Sequence, residues 1–257
     1  MQRSGASKRE RHLLGRRSVE MTNAPTDKTL QTYARLAGFL YLFVMAAFVI
    51  PFVIIGSLAA PGDFAQTARN VAGAESLYRI SLGISLAGVA AIVLLSGAFY
   101  SLLRTVDPSL AAIALALRTV EAVFMGVTVM VRFSALTNYA AAGDDLVGRE
   151  ALHRLMFSAI EAATNIAFAC LAVGSTLFFY LFFRARYIPR LLSGFGMLAS
   201  MLLGALAFAL VLAPDRLSGF EMVAMLPLGI AEVATGLWLL IAGANLRRAV
   251  SPLGAEL

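Results

Sequence analysis

The sequence has few of the residues on which most enzyme and metal sites depend. Only 14% of its 257 residues are charged, and it contains two histidines and a single cysteine, Cys170. One cysteine excludes an intramolecular disulfide bond. Soluble domains carry about 25% charged residues, so this composition excludes the ordinary soluble class.

The positions of the rare residues exclude several classes of membrane enzyme. His12 and His153 both lie outside the apolar runs, and there is no His-Glu-x-x-His motif, which argues against a membrane zinc protease or a serine–histidine intramembrane protease. Both lysines, Lys8 and Lys28, precede the first run, so no span lysine can form a Schiff base. We therefore expect no metal ion and no cofactor, and we recognise no catalytic residues.

Long apolar runs are abundant instead. Hydrophobic residues make up 60% of the chain, and the mean hydropathy is +0.80. A bilayer-spanning helix needs about 20 mainly apolar residues. Six runs satisfy this length: 36–60, 80–103, 110–137, 157–183, 191–213 and 222–244. The predicted fold is an all-α, integral membrane bundle of six transmembrane helices.

The chain divides into three predicted segments. Residues 1–32 are polar, lack apolar periodicity and are predicted to be a disordered basic leader. The true start could be Met21, because the chain from there is a sufficient lead to the first run. Residues 33–248 form the six-span membrane domain, and residues 249–257 form a short cytoplasmic tail.

Basic residues are distributed unequally between the two sides of the predicted bundle. Fourteen Lys and Arg lie on the side of the termini and five on the other side. Cytoplasmic loops carry the excess of Lys and Arg, so both termini are predicted to be cytoplasmic in a multi-pass protein of the bacterial cytoplasmic membrane. Membrane lipids are the expected partners and nucleic acid is not, since Arg184, Arg186 and Arg190 would meet anionic headgroups at the inner leaflet.

Five ionisable residues interrupt the predicted spans. Ionised groups within a bilayer normally face a partner or a wet cavity, so each is a candidate functional residue. With a helix rise of about 1.5 Å per residue, Glu121 lies roughly 16 Å from the inner end of the third span and Glu232 roughly 15 Å from the outer end of the sixth. Arg118 precedes Glu121 by one turn on the same helix face. We predict an intramembrane polar site of Arg118, Glu121 and Glu232.

A second group is predicted near the outer surface. Arg132 lies about 7 Å from the outer end of the third span, and Glu161 about 6 Å from the outer end of the fourth. They match in depth and differ in sign, and Asn165 follows Glu161 by one turn. An outer ion pair between Arg132 and Glu161 is therefore expected.

These charges leave three functional hypotheses open. Two carboxylates against one guanidinium leave one acid without a full countercharge, which favours proton-linked or small-solute transport, or the sensing of a small-molecule ligand. The second hypothesis is a membrane-embedded lipid-modifying enzyme that uses Glu121 or Glu232 as an acid or base. The third is a structural or assembly protein in which the charges hold helices together. The oligomeric state is not readable from the sequence.

Four groups of short strings also resemble a known family. They are Ala34-Arg35-Leu36-Ala37-Gly38 with Tyr41-Leu42; Arg118-Thr119-Val120-Glu121-Ala122; Tyr180-Leu181-Phe182 with Ile188-Pro189-Arg190-Leu191-Leu192-Ser193; and Glu232 with Gly236-Leu237-Trp238-Leu239-Leu240 and Gly243. In order and spacing the chain resembles, over about residues 33–248, the bacterial membrane family catalogued as domain of unknown function 4386. The resemblance implies a multi-span membrane protein, marks Arg118, Glu121, Pro189, Arg190 and Glu232 as motif positions, and supplies no reaction.

Overall fold

The structure, a computed structural model, describes residues 27–140, 145–213 and 220–246. The predicted leader up to residue 26 and the predicted tail from residue 249 lie outside these residues. Seven α-helices occur in the described part of the chain: α1 Asp27–Leu58, α2 Phe64–Gly73, α3 Glu75–Leu103, α4 Pro108–Ala140, α5 Leu146–Ala185, α6 Arg190–Leu212 and α7 Glu221–Ile241.

Six of the seven helices, all except α2, are long and apolar enough to cross a membrane. The prediction of an all-α bundle with six membrane spans is therefore confirmed. Large apolar side chains lie on the outside of these helices: Phe52, Val123, Leu198 and Ile230 are each at least 60% exposed. Such a surface is suited to lipid, where the α-helix also satisfies the backbone hydrogen bonds internally.

The six spans form a closed ring. Each packs against the next one along the chain, and α7 returns to pack against α1. We call the end of the bundle where α1 begins and α7 finishes the N-terminal end, and the other the opposite end. Buried aromatic residues fill part of the interior, where the rings of Phe178 and Phe182 each lie 5.2 Å from that of Phe99.

Glycine allows the ring to close between α1 and α7. A Cβ atom added at Gly38 would lie 2.5 Å from the backbone nitrogen of Leu240 and 2.7 Å from the carbonyl oxygen of Gly236. Because these are backbone atoms, no change of rotamer can relieve the overlap. Small residues at such crossings let membrane helices approach closely enough for dispersion contacts.

Parts of the chain between the predicted apolar runs are helical. The long connection before the second span contains α2, whose N-cap residue Asp63 accepts a hydrogen bond from the backbone nitrogen of Gln66 at 2.8 Å. The helix that contains the fourth span begins at Leu146, eleven residues before the predicted apolar run, and Asp145 accepts a hydrogen bond from Gly148 N at 3.0 Å. Such caps satisfy free N–H groups of the first turn. Likewise α1 begins at Asp27, six residues before the boundary predicted for the membrane domain.

Substitution of Gly38 by alanine is expected to destabilise the bundle. The added methyl group would force α1 and α7 apart, and overpacking of this kind costs about 1–3 kcal/mol. The thermal unfolding midpoint of the purified protein in detergent should fall by several degrees.

Gly97→Ala is the matched control for this substitution. Gly97 also lies within a membrane helix, but a Cβ atom added there would meet nothing within 4 Å. Alanine is the better helix former by about 0.5–1 kcal/mol, so the midpoint should hold or rise. Equal midpoints for the two variants would contradict the backbone contact at Gly38.

Candidate functional site

Five polar side chains meet inside the ring, and we call them the Arg118 cluster. Its members are Tyr41 on α1, Arg118 and Glu121 on α4, Ser175 on α5 and Glu232 on α7. None is more than 6% exposed. At about 1.5 Å of rise per residue, each of the five lies roughly 14 to 21 Å from that end of its helix which is at the N-terminal end of the bundle, deep within the apolar part.

Arg118 is the only cation of the cluster, and it contacts one residue on its own helix and one on α5. Its Nη1 atom lies 3.0 Å from Oε2 of Glu121, one turn along α4. The same nitrogen donates a hydrogen bond of 3.3 Å to the hydroxyl of Ser175 on α5. The predicted pairing of Arg118 with Glu121 is therefore present, and Ser175 adds a link between α4 and α5.

Glu232 is linked to α1 through Tyr41. The tyrosine hydroxyl donates a hydrogen bond of 3.1 Å to Oε1 of Glu232. Glu232 also interacts electrostatically with Arg118, which lies on α4. The structure thus brings together all three residues of the predicted intramembrane site and adds a tyrosine to them.

A glycine on α5 makes room for the arginine. A Cβ atom added at Gly174 would lie 3.0 Å from Cγ and 3.2 Å from Cδ of Arg118. The aliphatic part of the arginine therefore passes directly over the backbone of α5. This contact places the guanidinium beside Ser175, the residue after the glycine.

The hydrogen bonds of the cluster are incomplete. Oε2 of Glu121 has its close ion pair with Arg118 but accepts no hydrogen bond within the described chain. Thr235 lies one turn after Glu232, is fully buried, and its hydroxyl also finds no partner among those residues. Unmet hydrogen-bonding capacity in a buried site costs about 1–3 kcal/mol per group, so the cluster can accept a further proton or donor.

The cluster combines two acids with one base, and it is shielded from water. Arg118 interacts with both carboxylates, and the two carboxylates repel each other. The ring of Tyr41 packs edge-on against Phe99 at 5.3 Å, on the side toward the N-terminal end. Two acids and one base are therefore held together in the buried interior of the bundle.

Two members of this constellation were not predicted from the sequence. Tyr41 belongs to the string that opens the family resemblance, but nothing in its local pattern indicates a bond to a residue 191 positions away. Ser175 follows Gly174 in an apolar helix, where a serine usually bonds its own backbone. Its pairing with an arginine becomes evident only once α4 and α5 are packed.

The predicted outer ion pair does not form. Glu161 is exposed, Arg132 is half-buried, and the ion pairs found among the described residues do not join them. Asn165 instead donates a hydrogen bond of 3.2 Å to the carbonyl oxygen of Ala207 on α6. Equal depth along two helices was an insufficient criterion, because the rotation of each helix decides which faces meet.

Arg132 lines a cavity at the opposite end, which we call the α2 cavity. Its volume is about 380 Å³, and its walls come from α1, α2, α3, α4, α5 and the α1–α2 turn. His153, which lies outside the predicted apolar runs, is in helix α5 and also lines this cavity. Its Nδ1 atom lies 3.4 Å from the hydroxyl of Tyr139.

The three arginines predicted to meet lipid headgroups lie at the N-terminal end. All three, Arg184, Arg186 and Arg190, are exposed. Arg184 has a partner in Asp107 at 3.5 Å, and the guanidinium of Arg190 lies 5.3 Å from the centre of the Phe183 ring. Their contact with headgroups stays a prediction.

No group of three or more His, Cys, Asp or Glu side chains that could hold a metal ion occurs in the described ranges. The carboxylates of the Arg118 cluster face a guanidinium and a phenol, which are hydrogen-bond donors and not additional ligands.

Comparison with known proteins agrees with the membrane architecture. Neither the curated proteins nor the solved structures contain a match to the chain. Residues 36–243 match the model of the family described as a domain of unknown function, DUF4386. This match covers Arg118, Glu121, Glu232 and every other member of the Arg118 cluster. The chain is an integral membrane protein that belongs to the DUF4386 family.

Proposed function

We propose that this protein is a proton-responsive protein of the bacterial cytoplasmic membrane, and that the Arg118 cluster is its proton-binding site. Both termini would be cytoplasmic, as the distribution of basic residues predicts. Proton binding at the pair Glu121 and Glu232 would couple to a rearrangement of the helices, in transport or in sensing.

The observation that carries the proposal is the charge imbalance. When Glu121 and Glu232 are both ionised, Arg118 neutralises only one of them, and a net negative charge stays buried. An isolated charge in such surroundings is costly. One bound proton, on either carboxylate, makes the cluster neutral while Arg118 keeps its ion pair with Glu121.

The geometry favours a proton over a larger solute. Glu121 and Glu232 are only 5% and 6% exposed. Neither the α2 cavity nor a cavity at the N-terminal end, whose lining includes Gln31 and Asn245, shares a lining residue with the cluster. A proton needs no cavity, and it can be passed through hydroxyl groups such as that of Tyr41.

The bonds of the cluster provide the link between proton and structure. Tyr41 to Glu232 joins α1 to α7, and Arg118 to Ser175 joins α4 to α5. After loss of the proton, Arg118 would have to balance two ionised carboxylates. Its hydrogen bond to Ser175 and the hydrogen bond from Tyr41 to Glu232 would then change. The titratable groups within electrostatic range of the pair include Tyr41 and Arg118 of the cluster and the thiol of Cys170 on α5.

The second candidate function is structural. The same bonds could serve only to hold the ring together, with both carboxylates ionised, and the links between α1 and α7 and between α4 and α5 favour this role. A lipid-modifying enzyme has less support, because its acid or base would face a cleft, and both carboxylates are buried.

Infrared spectroscopy can test proton binding directly. In nanodiscs at neutral pH, the protein should show the carbonyl stretching band of a protonated carboxyl group, and the band should disappear as the pH rises. Glu121→Gln and Glu232→Gln should each remove or shift this band, because each substitution neutralises one acid of the pair.

Glu161→Gln is the matched control, since Glu161 is an exposed glutamate of a membrane helix outside the cluster. This variant should keep the band unchanged. A wild-type spectrum with no protonated carboxyl band between neutral and mildly acidic pH would overturn the proposal and leave the structural role.

The folded bundle should become less stable as the pH rises. The proton stabilises the folded bundle by removing a buried charge, so the unfolding midpoint should fall as the pH rises through the titration of the pair. Glu232→Gln removes the excess acid and should flatten this dependence, as measured by thermal unfolding in detergent at a series of pH values. A slope that is equal in the two proteins would contradict a titrating pair.

Removal of the tyrosine hydroxyl should weaken the α1–α7 link. Tyr41→Phe deletes the donor to Glu232, and hydrogen bonds to charged groups contribute about 1.5–3 kcal/mol. The midpoint should fall and the carboxyl band should shift in frequency. Tyr180→Phe is the control, because Tyr180 is 40% exposed on α5. An unshifted band in Tyr41→Phe would show that the phenol does not bond the titrating acid.

A further inference from the structure

We propose that the α2 cavity binds an organic anion with an apolar body, with its carboxylate or phosphate group on Arg132. The cavity is separate from the Arg118 cluster, so this proposal does not rest on the proposed proton site. The same ligand chemistry could come from the bilayer, as a fatty acid, or from water, as an aromatic carboxylate.

The charges of the residues that line the cavity indicate that its ligand is an anion. Arg132 is the only residue lining the cavity that carries a full charge at neutral pH when His153 is neutral, and no Asp or Glu lines it. A guanidinium always carries its charge in proteins and presents five N–H donors. The lining therefore favours an anion and repels a cation.

Arg132 lacks a partner among the residues that the structure describes. Its guanidinium makes none of the ion pairs or side-chain hydrogen bonds found there. The hydroxyl of Tyr78 donates a hydrogen bond of 3.2 Å to the backbone carbonyl oxygen of Arg132, and this bond does not involve the guanidinium. A half-buried cation within a membrane helix normally pairs with a countercharge, and an anionic ligand would provide one.

The walls of the cavity define the body of the ligand. The ring of Tyr139 lies 6.2 Å from that of Tyr78 and 5.6 Å from that of His153. Phe157 and Met156 continue the same wall along α5. Apolar and aromatic walls with a few polar groups are typical of small-molecule sites, and about 380 Å³ lies within their usual range of roughly 300–1,000 Å³.

The cavity is preformed because α2 is anchored. The side chain of Asn70 donates to the carbonyl oxygen of Leu58 at 3.1 Å, and the hydroxyl of Thr67 accepts from Ala60 N at 2.9 Å. The ring of Phe64, the first residue of α2, lies 5.3 Å from that of His153. These contacts fix α2 to α1 and α5, so a ligand meets a site that needs little ordering, which favours affinity.

Binding can be measured with two anionic probes, one that resembles a lipid-derived ligand and one that resembles a water-soluble ligand. Decanoate represents the bilayer-derived anion, and 1-naphthoate represents the water-soluble one. Equilibrium dialysis with the purified full-length protein in detergent should show saturable binding of at least one probe, together with a higher unfolding midpoint. Decanol, which keeps the chain and lacks the charge, should bind at least tenfold more weakly than decanoate if decanoate is the bound probe.

Substitutions assign the binding to the cavity. Arg132→Gln should weaken binding at least tenfold, and Arg132→Lys should retain part of it because the charge is kept. Ala135→Phe should abolish binding while keeping the arginine, because Ala135 is buried and lines the cavity. If Arg132→Gln fails to fold, the Ala135 variant and Arg132→Lys still decide the question.

Two control variants complete the test. Arg154→Gln removes an exposed arginine of α5 that pairs with Glu150 at 2.6 Å and does not line the cavity, so binding should be unchanged. Glu121→Gln should also leave binding unchanged, which keeps this result distinct from that for the proton site. Binding of decanoate alone would identify a bilayer source, and binding of 1-naphthoate alone a water-soluble one. No saturable binding of either probe, or equal binding by wild type and Arg132→Gln, would overturn the proposal.

Discussion

The interior of the bundle depends on the need to stabilise one permanent positive charge away from water. The guanidinium of Arg118 cannot lose its proton under ordinary conditions. Three neighbouring residues stabilise it. Glu121 supplies a countercharge, Ser175 accepts a hydrogen bond, and Gly174 leaves space for the side chain. Because these groups come from two neighbouring helices, the electrostatic requirement also determines how α4 and α5 are rotated against each other.

The second carboxylate adds a second acid to the ion pair, and in the proposed function this gives the site two protonation states. Glu232 reaches the cluster from α7 and is held by Tyr41 from α1. These two helices also close the ring, through the backbone contact at Gly38. Ring closure and charge placement therefore involve the same pair of helices, which is the basis of the proposed coupling between proton binding and helix rearrangement. A single buried pair confined to α4 could not provide this coupling.

Much of the architecture could be predicted from the pattern of residues, because the bilayer restricts which segments can cross it. Apolar runs longer than a bilayer is thick must be membrane helices, so the number of spans followed directly. The spacing of Arg118 and Glu121 at one helical turn also predicted their pairing. Arg132 and Glu161 show the limit of this argument. Their depths matched, but the rotation of α4 and α5 about their own axes placed the arginine at the α2 cavity and left the glutamate exposed.

The sequence by itself determined the membrane class, the number of spans and which ionisable residues lie within the membrane helices. Those properties depend on composition and on distances along a single helix, which are regular. Only the tertiary structure decided which helix faces meet, that Tyr41 bonds Glu232, that α2 caps a cavity, and that Arg132 lies there. These features depend on how separate helices rotate and pack, and packing results from many weak contacts between residues far apart in the chain.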